Sequence, residues 1–198
     1  MTELIIRILF WSVFATLVAC LEIEIEGKHG WAEKLPTWYR LLPGGKPFTG
    51  YNLFMFALPM MIFHAPFVNG AEWSWQAELE TCATYFAWCV LWDYHWFVLN
   101  PHYQGKFRRD QIWWHSKSPW VFGWFPADYA VFTLLSLAAA GTASVVAGSS
   151  DPFISHMVML WGFAAFTMAL HFVAPLYGQW YTHMRKRDDR EKTDIFHK

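Results

Sequence analysis

The chain has 198 residues and a net charge of -1; 55% of its residues are hydrophobic, 20% aromatic and only 16% charged. Charged residues make up roughly a quarter of an ordinary soluble domain, so this balance points to a polytopic, all-α membrane bundle with tryptophan-rich interfacial belts. No basic patch accompanies a nucleic-acid motif, which sets nucleic-acid partners aside.

Five apolar stretches are long enough to span, given that about 20 helical residues cross a bilayer core. They cover residues 4–21, 51–68, 77–99, 129–148 and 153–177. Turn signals separate them. Pro43-Gly44-Gly45 precedes the second, Asn69-Gly70 follows it, Asn100-Pro101 closes the third and Pro126 precedes the fourth. Ser149-Ser150-Asp151-Pro152 links the last two, with Pro152 suited to the first turn of a helix. Residues 1–184 read as one transmembrane domain, and 185–198 as a charged tail in contact with solvent or anionic lipid.

Orientation follows from the lysines and arginines. Four lie after the first span (Lys28, Lys34, Arg40, Lys46), four after the third (Lys106, Arg108, Arg109, Lys117) and six in the tail; the connections after the second and fourth hold none. Fourteen of the fifteen basic residues thus share one side of a five-span topology. The positive-inside rule makes that side cytoplasmic, with the N-terminus outside and the C-terminus inside. The expected location is a prokaryotic inner membrane. Leu17-Val18-Ala19-Cys20 imitates a lipoprotein cleavage box, but cleavage there would put the first basic connection outside. Cys20, Cys82 and Cys89 form no CxxC and read as reduced, buried side chains.

The polar residues sort by depth. Glu22, Glu26 and His29 lie at the inner end of the first span, Asp93 and His95 in the last turns of the third, and His171 deep in the fifth. His115 lies in the inner connection, after Trp113-Trp114. Ionisable groups at membrane depth are costly and are functional candidates by default. If the first helix continues, Glu22, Glu26 and His29 fall on one face. Glu26-Gly27-Lys28-His29 then has the Glu-x-x-His spacing of carboxylate-bridged di-metal bundles. Leu21 to Glu26 also alternates as a strand would, and Gly27 weakens a helix.

Glu26, His29, Asp93, His115 and His171 are therefore the expected ligands of one or two divalent ions, iron, manganese or zinc. Glu22 and Glu26 are the expected proton-moving groups. Asp93 could instead be neutralised by Arg108 or Arg109, or accept from a tryptophan N–H. Asp93 and His95 sit about 200° apart on a regular helix and would not share a metal. In the outer half, His64 is expected to reach Glu78 as a polar pair; a haem between His64 and His156 is the weaker reading.

No two of the nine histidines lie within four residues of one another, so the His-box spacing of membrane hydroxylases and desaturases is missing. The expected function is a metal-dependent membrane enzyme acting on a lipid-soluble substrate, oxidative first, hydrolytic or isomerising second. The alternatives are a non-catalytic subunit of a larger complex and a small transporter. The small residues Ala140, Ser144 and Gly148 offer a face for homo- or hetero-oligomer contacts within the membrane lipid.

Overall fold

The computed structural model describes residues 2–42, 45–103, 107–117 and 119–188. Pro43, Gly44, Lys106 and the tail from residue 189 onward, with Arg190, Lys192, His197 and Lys198, lie outside the described residues.

Helix α1 (Thr2–Glu26) leads to a short hairpin of β1 (Tyr39–Leu41) and β2 (Pro47–Thr49), paired antiparallel with Arg40 opposite Phe48. Then come α2 (Gly50–Val68) and α3 (Trp75–Leu99). The connection after α3 holds the one-turn α4 (Trp113–Ser116) and a second small hairpin, β3 (Trp120–Val121) with β4 (Phe125–Pro126). It delivers the chain to α5 (Ala127–Ala147) and α6 (Asp151–Lys186).

Local chemistry sets the helix ends. Thr49 and Asn52 form a reciprocal capping box on α2. The Ser74 hydroxyl accepts the Ala77 N–H at the start of α3. Gly148, at φ 65, ends α5 in the left-handed region that glycine enters without a Cβ penalty. Pro152 sits in the first turn of α6, where no intrahelical N–H is needed.

The protein is an all-α membrane helical bundle. Four helices, α1, α2, α5 and α6, are long and apolar enough to cross a bilayer, and only 17–22% of their most apolar windows is buried inside the protein. Their remaining apolar faces, such as Ile6, Leu17, Met61, Leu134 and Phe172, point outward, as a lipid solvent requires. The third expected span differs in kind. Helix α3 is 25 residues long, but tryptophans, tyrosines and carboxylates dilute its apolar content, and it is not one of those four. It lies at the centre, packed on α1, α5, α6 and α2.

The core runs along α3, with Trp88, Trp92, Trp96 and Phe97 enclosed by Ala15, Ala19 and Ile23 of α1 and by Met159, Phe163 and Leu170 of α6. Ala15 and Ala19 are fully buried, so their small side chains let α1 approach α3 closely. Helix α6 is longer than its expected span. Its 36 residues reach roughly 54 Å, well past the apolar layer, and Pro175 lies inside it. Near its end the Arg185 guanidinium meets the Glu24 carboxylate at 3.2 Å. The cysteines are all free. Of the expected small-residue face, Ala140 is buried within the chain and the Ser144 hydroxyl accepts the Phe153 N–H at 2.9 Å.

Candidate functional site

A cavity of about 430 Å³ opens between α1, the first hairpin, α2, α3, α4 and α5. One part is apolar, walled by Phe48, Phe56, Phe86, Val90 and Phe132. The other is strongly polar, with Glu22, Glu26, Asp93, His115, Lys46 and Asp128 on its surface. That division suits an amphipathic molecule held by its tail and read by its head.

Glu22 and Glu26 reach the cavity because α1 remains helical to Glu26, placing them one turn apart; the strand alternative for residues 21–26 does not form. The helix stops there. Gly27 takes φ 60 and donates its N–H back to Ile23 O at 2.9 Å. Left-handed Trp31 and Ala32 then curl the chain under the helix end, and the Ala32 N–H donates to the Glu26 carboxylate at 2.6 Å. Glu26 therefore anchors this loop as well as facing the cavity. Glu22 receives the Tyr51 hydroxyl of α2 at 3.4 Å.

Asp93 comes from the last third of α3. The Tyr129 hydroxyl at the start of α5 donates to it, and His115 Nε2 stands 3.6 Å away, close enough for charge interaction but long for a hydrogen bond. Part of the Asp93 side chain remains open, and it lines the cavity. The arginine partners considered for it are elsewhere: Arg108 pairs with Asp110 at 3.2 Å. Lys46 sets its Nζ over the Trp31 ring, 3.9 Å from the centroid, and pairs with Asp128 at 2.6 Å.

Three residues around this cavity have buried nitrogens with no hydrogen-bond partner among the described residues: Trp96 and Trp114, each at indole Nε1, and His115, at both ring nitrogens. The Trp92 indole, also buried, is directed to the Glu22 carboxylate. Buried polar groups are nearly always paired, so these atoms give the cavity hydrogen-bonding capacity for a polar group. Apart from Asp93, His115 is surrounded by aromatic rings, those of Phe97, Phe107, Trp114, Trp120 and Tyr129. Gly30 makes this packing possible, because its Cα sits where a Cβ would come within 2.3 Å of the Trp114 ring.

Of the five expected metal ligands, Glu26, Asp93 and His115 line this cavity, together with Glu22. His29 and His171 do not. The Gly27 turn breaks the helical register that would have carried His29 to the face of Glu26, and His29 instead meets Glu33 at 3.4 Å on the surface. His171 points into another groove, beside Val98, Ala174 and Gly178, and its Nδ1 donates to Thr167 O at 2.8 Å. His95, two residues from Asp93, faces away as its helical offset requires, bonded to Thr16 at 3.1 Å and Thr167 at 2.9 Å. His156 bonds Ser136 at 2.7 Å and has no part in a haem pair with His64.

Lys46, Asp128, Tyr129 and Asn52 complete the polar wall and were not singled out from sequence. The one available signal was an acid and a tyrosine opening an apolar span, at Asp128-Tyr129. No known family profile, curated protein or solved structure matches this chain.

Proposed function

We propose that the protein is an integral membrane enzyme that takes a lipid-soluble molecule into this cavity and acts on its polar end by proton transfer. The observation that carries the reading is the meeting of Glu22, Glu26, Asp93 and His115 from three helices at one end of an otherwise aromatic cavity. Asp93 and His115 are the working pair. Tyr129 fixes one carboxylate oxygen, and His115, whose ring nitrogens have no other partner, takes and returns the proton. The Trp96 and Trp114 N–H groups, without a partner among the described residues, are donors for a hydroxyl or carbonyl on the substrate head, where they would stabilise developing negative charge. Glu22 serves as a second proton carrier. Isomerisation, hydration and hydrolysis fall within this chemistry.

A second reading draws on the donor set. Acids outnumber cations around the cavity, since Lys46 is already paired with Asp128 and His115 alone faces Asp93. Carboxylate oxygens with an imidazole suit iron, manganese or zinc, so Glu22, Glu26, Asp93 and His115 could hold one such ion and support oxidative chemistry. The basic residues of the connections that hold the cavity's Lys46 and His115, among them Lys28, Lys34 and Arg108, support a cytoplasmic face for this end under the positive-inside rule, in keeping with the expected prokaryotic inner membrane.

The test compares lipids that co-purify with the wild type and with Asp93→Asn, alongside total lipid extracts of cells making each. A lipid-soluble species held by both proteins but chemically changed only by the wild type supports the enzyme. Identical bound and total lipids in the two would overturn it. Elemental analysis of the same preparations separates the two chemistries: an ion lost in both Asp93→Asn and His115→Ala selects the metal-dependent one.

A further inference from the structure

A second constellation lies at the opposite end of α3. His64 from the last turns of α2, and Glu78 and Cys82 from the first turns of α3, bring one ligand atom each to within 4.8 Å of one another. His64 Nε2 lies 2.9 Å from Glu78 Oε1, and Cys82 Sγ lies 3.8 Å from the same oxygen. Glu78 and Cys82 are spaced i, i+4, so one helix face presents both. The residues are half-buried, with side-chain exposures of 29% for His64 and 25% for Glu78, which leaves an approach from the outer surface. Eleven residues separate Cys82 from Asp93, about 16 Å along α3, so this cluster is distinct from the inner cavity.

We propose that His64, Glu78 and Cys82 form a zinc site at the outer end of the bundle. Three arguments support it. The first is the pattern of hydrogen bonds. His64 Nδ1 faces the Met60 carbonyl at 2.7 Å, an acceptor only, so that nitrogen carries a proton; Nε2 is then either protonated as well, as an imidazolium paired with Glu78, or free to offer its lone pair. An imidazole lone pair and a carboxylate oxygen at 2.9 Å repel unless a proton or a cation stands between them.

The second argument is the supporting shell. Metal-bound histidines almost always donate their other N–H to a carbonyl or carboxylate, as His64 does to Met60. The ligating carboxylate is likewise held, with Trp73 Nε1 donating to Glu78 Oε2 at 3.1 Å.

The third is size and softness. A tetrahedral zinc would set its nitrogen and oxygen ligands about 3.4 Å apart, and its sulfur and oxygen ligands about 3.6 Å apart. The observed 2.9 and 3.8 Å need only small side-chain adjustments to reach those separations. One nitrogen, one oxygen and one sulfur donor fit borderline-soft zinc better than calcium or magnesium, which favour oxygen alone. On binding, Cys82 gives up its thiol proton to water and coordinates as the thiolate; water fills the fourth position. The ion would reinforce the His64–Glu78 contact between the ends of α2 and α3 that the connection 69–74 joins.

The experiment uses the full chain in mild detergent, stripped with a chelator and titrated with Zn²⁺, then with Co²⁺ as a spectroscopic stand-in. Monodisperse elution and unchanged helical circular dichroism qualify each variant. Wild type and the Asp93→Asn/His115→Ala double variant are expected to bind one ion at this site, with a thiolate-to-cobalt charge-transfer band. His64→Ala and Cys82→Ser lose that ion, and Cys82→Ser loses the band. Trp73→Phe, which removes only the supporting N–H, weakens binding about 10- to 100-fold. Folded wild type that takes up no ion overturns the proposal, as does binding that His64→Ala and Cys82→Ser leave unchanged. An ion lost only in the Asp93 and His115 variants belongs to the inner cavity, so the two sites are told apart.

Discussion

His95 and His115 are buried to the same degree, with 0% and 2% of their surface exposed, yet they sit in opposite chemical circumstances. His95 lies between α1 and α6, and both ring nitrogens meet threonine hydroxyls. A neutral His95 donates from one nitrogen and accepts at the other, so one hydroxyl keeps its bond down its own helix, Thr16 to Ser12 O or Thr167 to Phe163 O, and the other turns its proton to the ring. His95 is a cross-link that fastens three helices. His115 sits in an aromatic cage with neither nitrogen bonded and Asp93 3.6 Å away at the cavity wall. Burial alone does not separate a histidine fastened by hydrogen bonds from one proposed to act chemically. Satisfaction does, because a buried polar group left without a partner costs stability and persists only where another constraint keeps it.

Five substitutions would break or sharpen this contrast. The largest effect is expected from Gly30→Ala. The new Cβ would meet the Trp114 ring, displacing the wall of the His115 cage and lowering stability by up to about 3 kcal/mol. Thermal unfolding would register the loss, and altered tryptophan fluorescence would place it at the cage.

Next comes a matched pair. His95→Phe keeps a ring but strands two threonine contacts, and should lower stability by about 2 kcal/mol at roughly 1 kcal/mol per hydrogen bond. His115→Phe also keeps a ring and removes two orphaned nitrogens; its stability should stay within about 1 kcal/mol of wild type while lipid conversion is lost. Equal destabilisation of the two variants by chemical denaturation would erase the distinction drawn here.

Arg185→Ala touches neither histidine. Its pair with Glu24 is a surface contact, 38% exposed on the arginine side, so a change of no more than about 0.5 kcal/mol is expected.

The smallest effect is a pH dependence outside the spans. Burial, then the nearby Lys28, Arg185 and His29, hold His102 below its ordinary value of 6.5. The unfolded chain therefore binds this proton more readily, and stability should fall as the pH drops through 6.5 toward the folded value. His102→Gln should flatten that part of the stability profile.

The inner site was partly legible from the chain. Glu22 and Glu26 could be paired because i, i+4 spacing needs only a helix, and Asp93 stood out because a carboxylate in an apolar run is rare. His29 was misplaced by a local event. The Glu-x-x-His spacing holds only while the helix continues, and Gly27 ends it one residue after Glu26. His171 shared the right depth but the wrong side of α6, since depth is one coordinate and rotation about the helix axis another. Lys46 and Asp128, 82 positions apart, and Tyr129 and Asp93, 36 apart, had no local pattern to announce them.

By itself the sequence determined a helical membrane protein, because the cost of putting residues in lipid adds up along a run and can be summed without knowing any contact. It also determined the alternation of basic connections, for the same reason. Tertiary structure alone decided that α3 lies at the centre, which histidines are satisfied, and which carboxylates share a cavity. Those outcomes depend on helix rotation and on pairings between distant segments, and a hydrogen bond or an orphaned donor exists only once both partners have been placed in space.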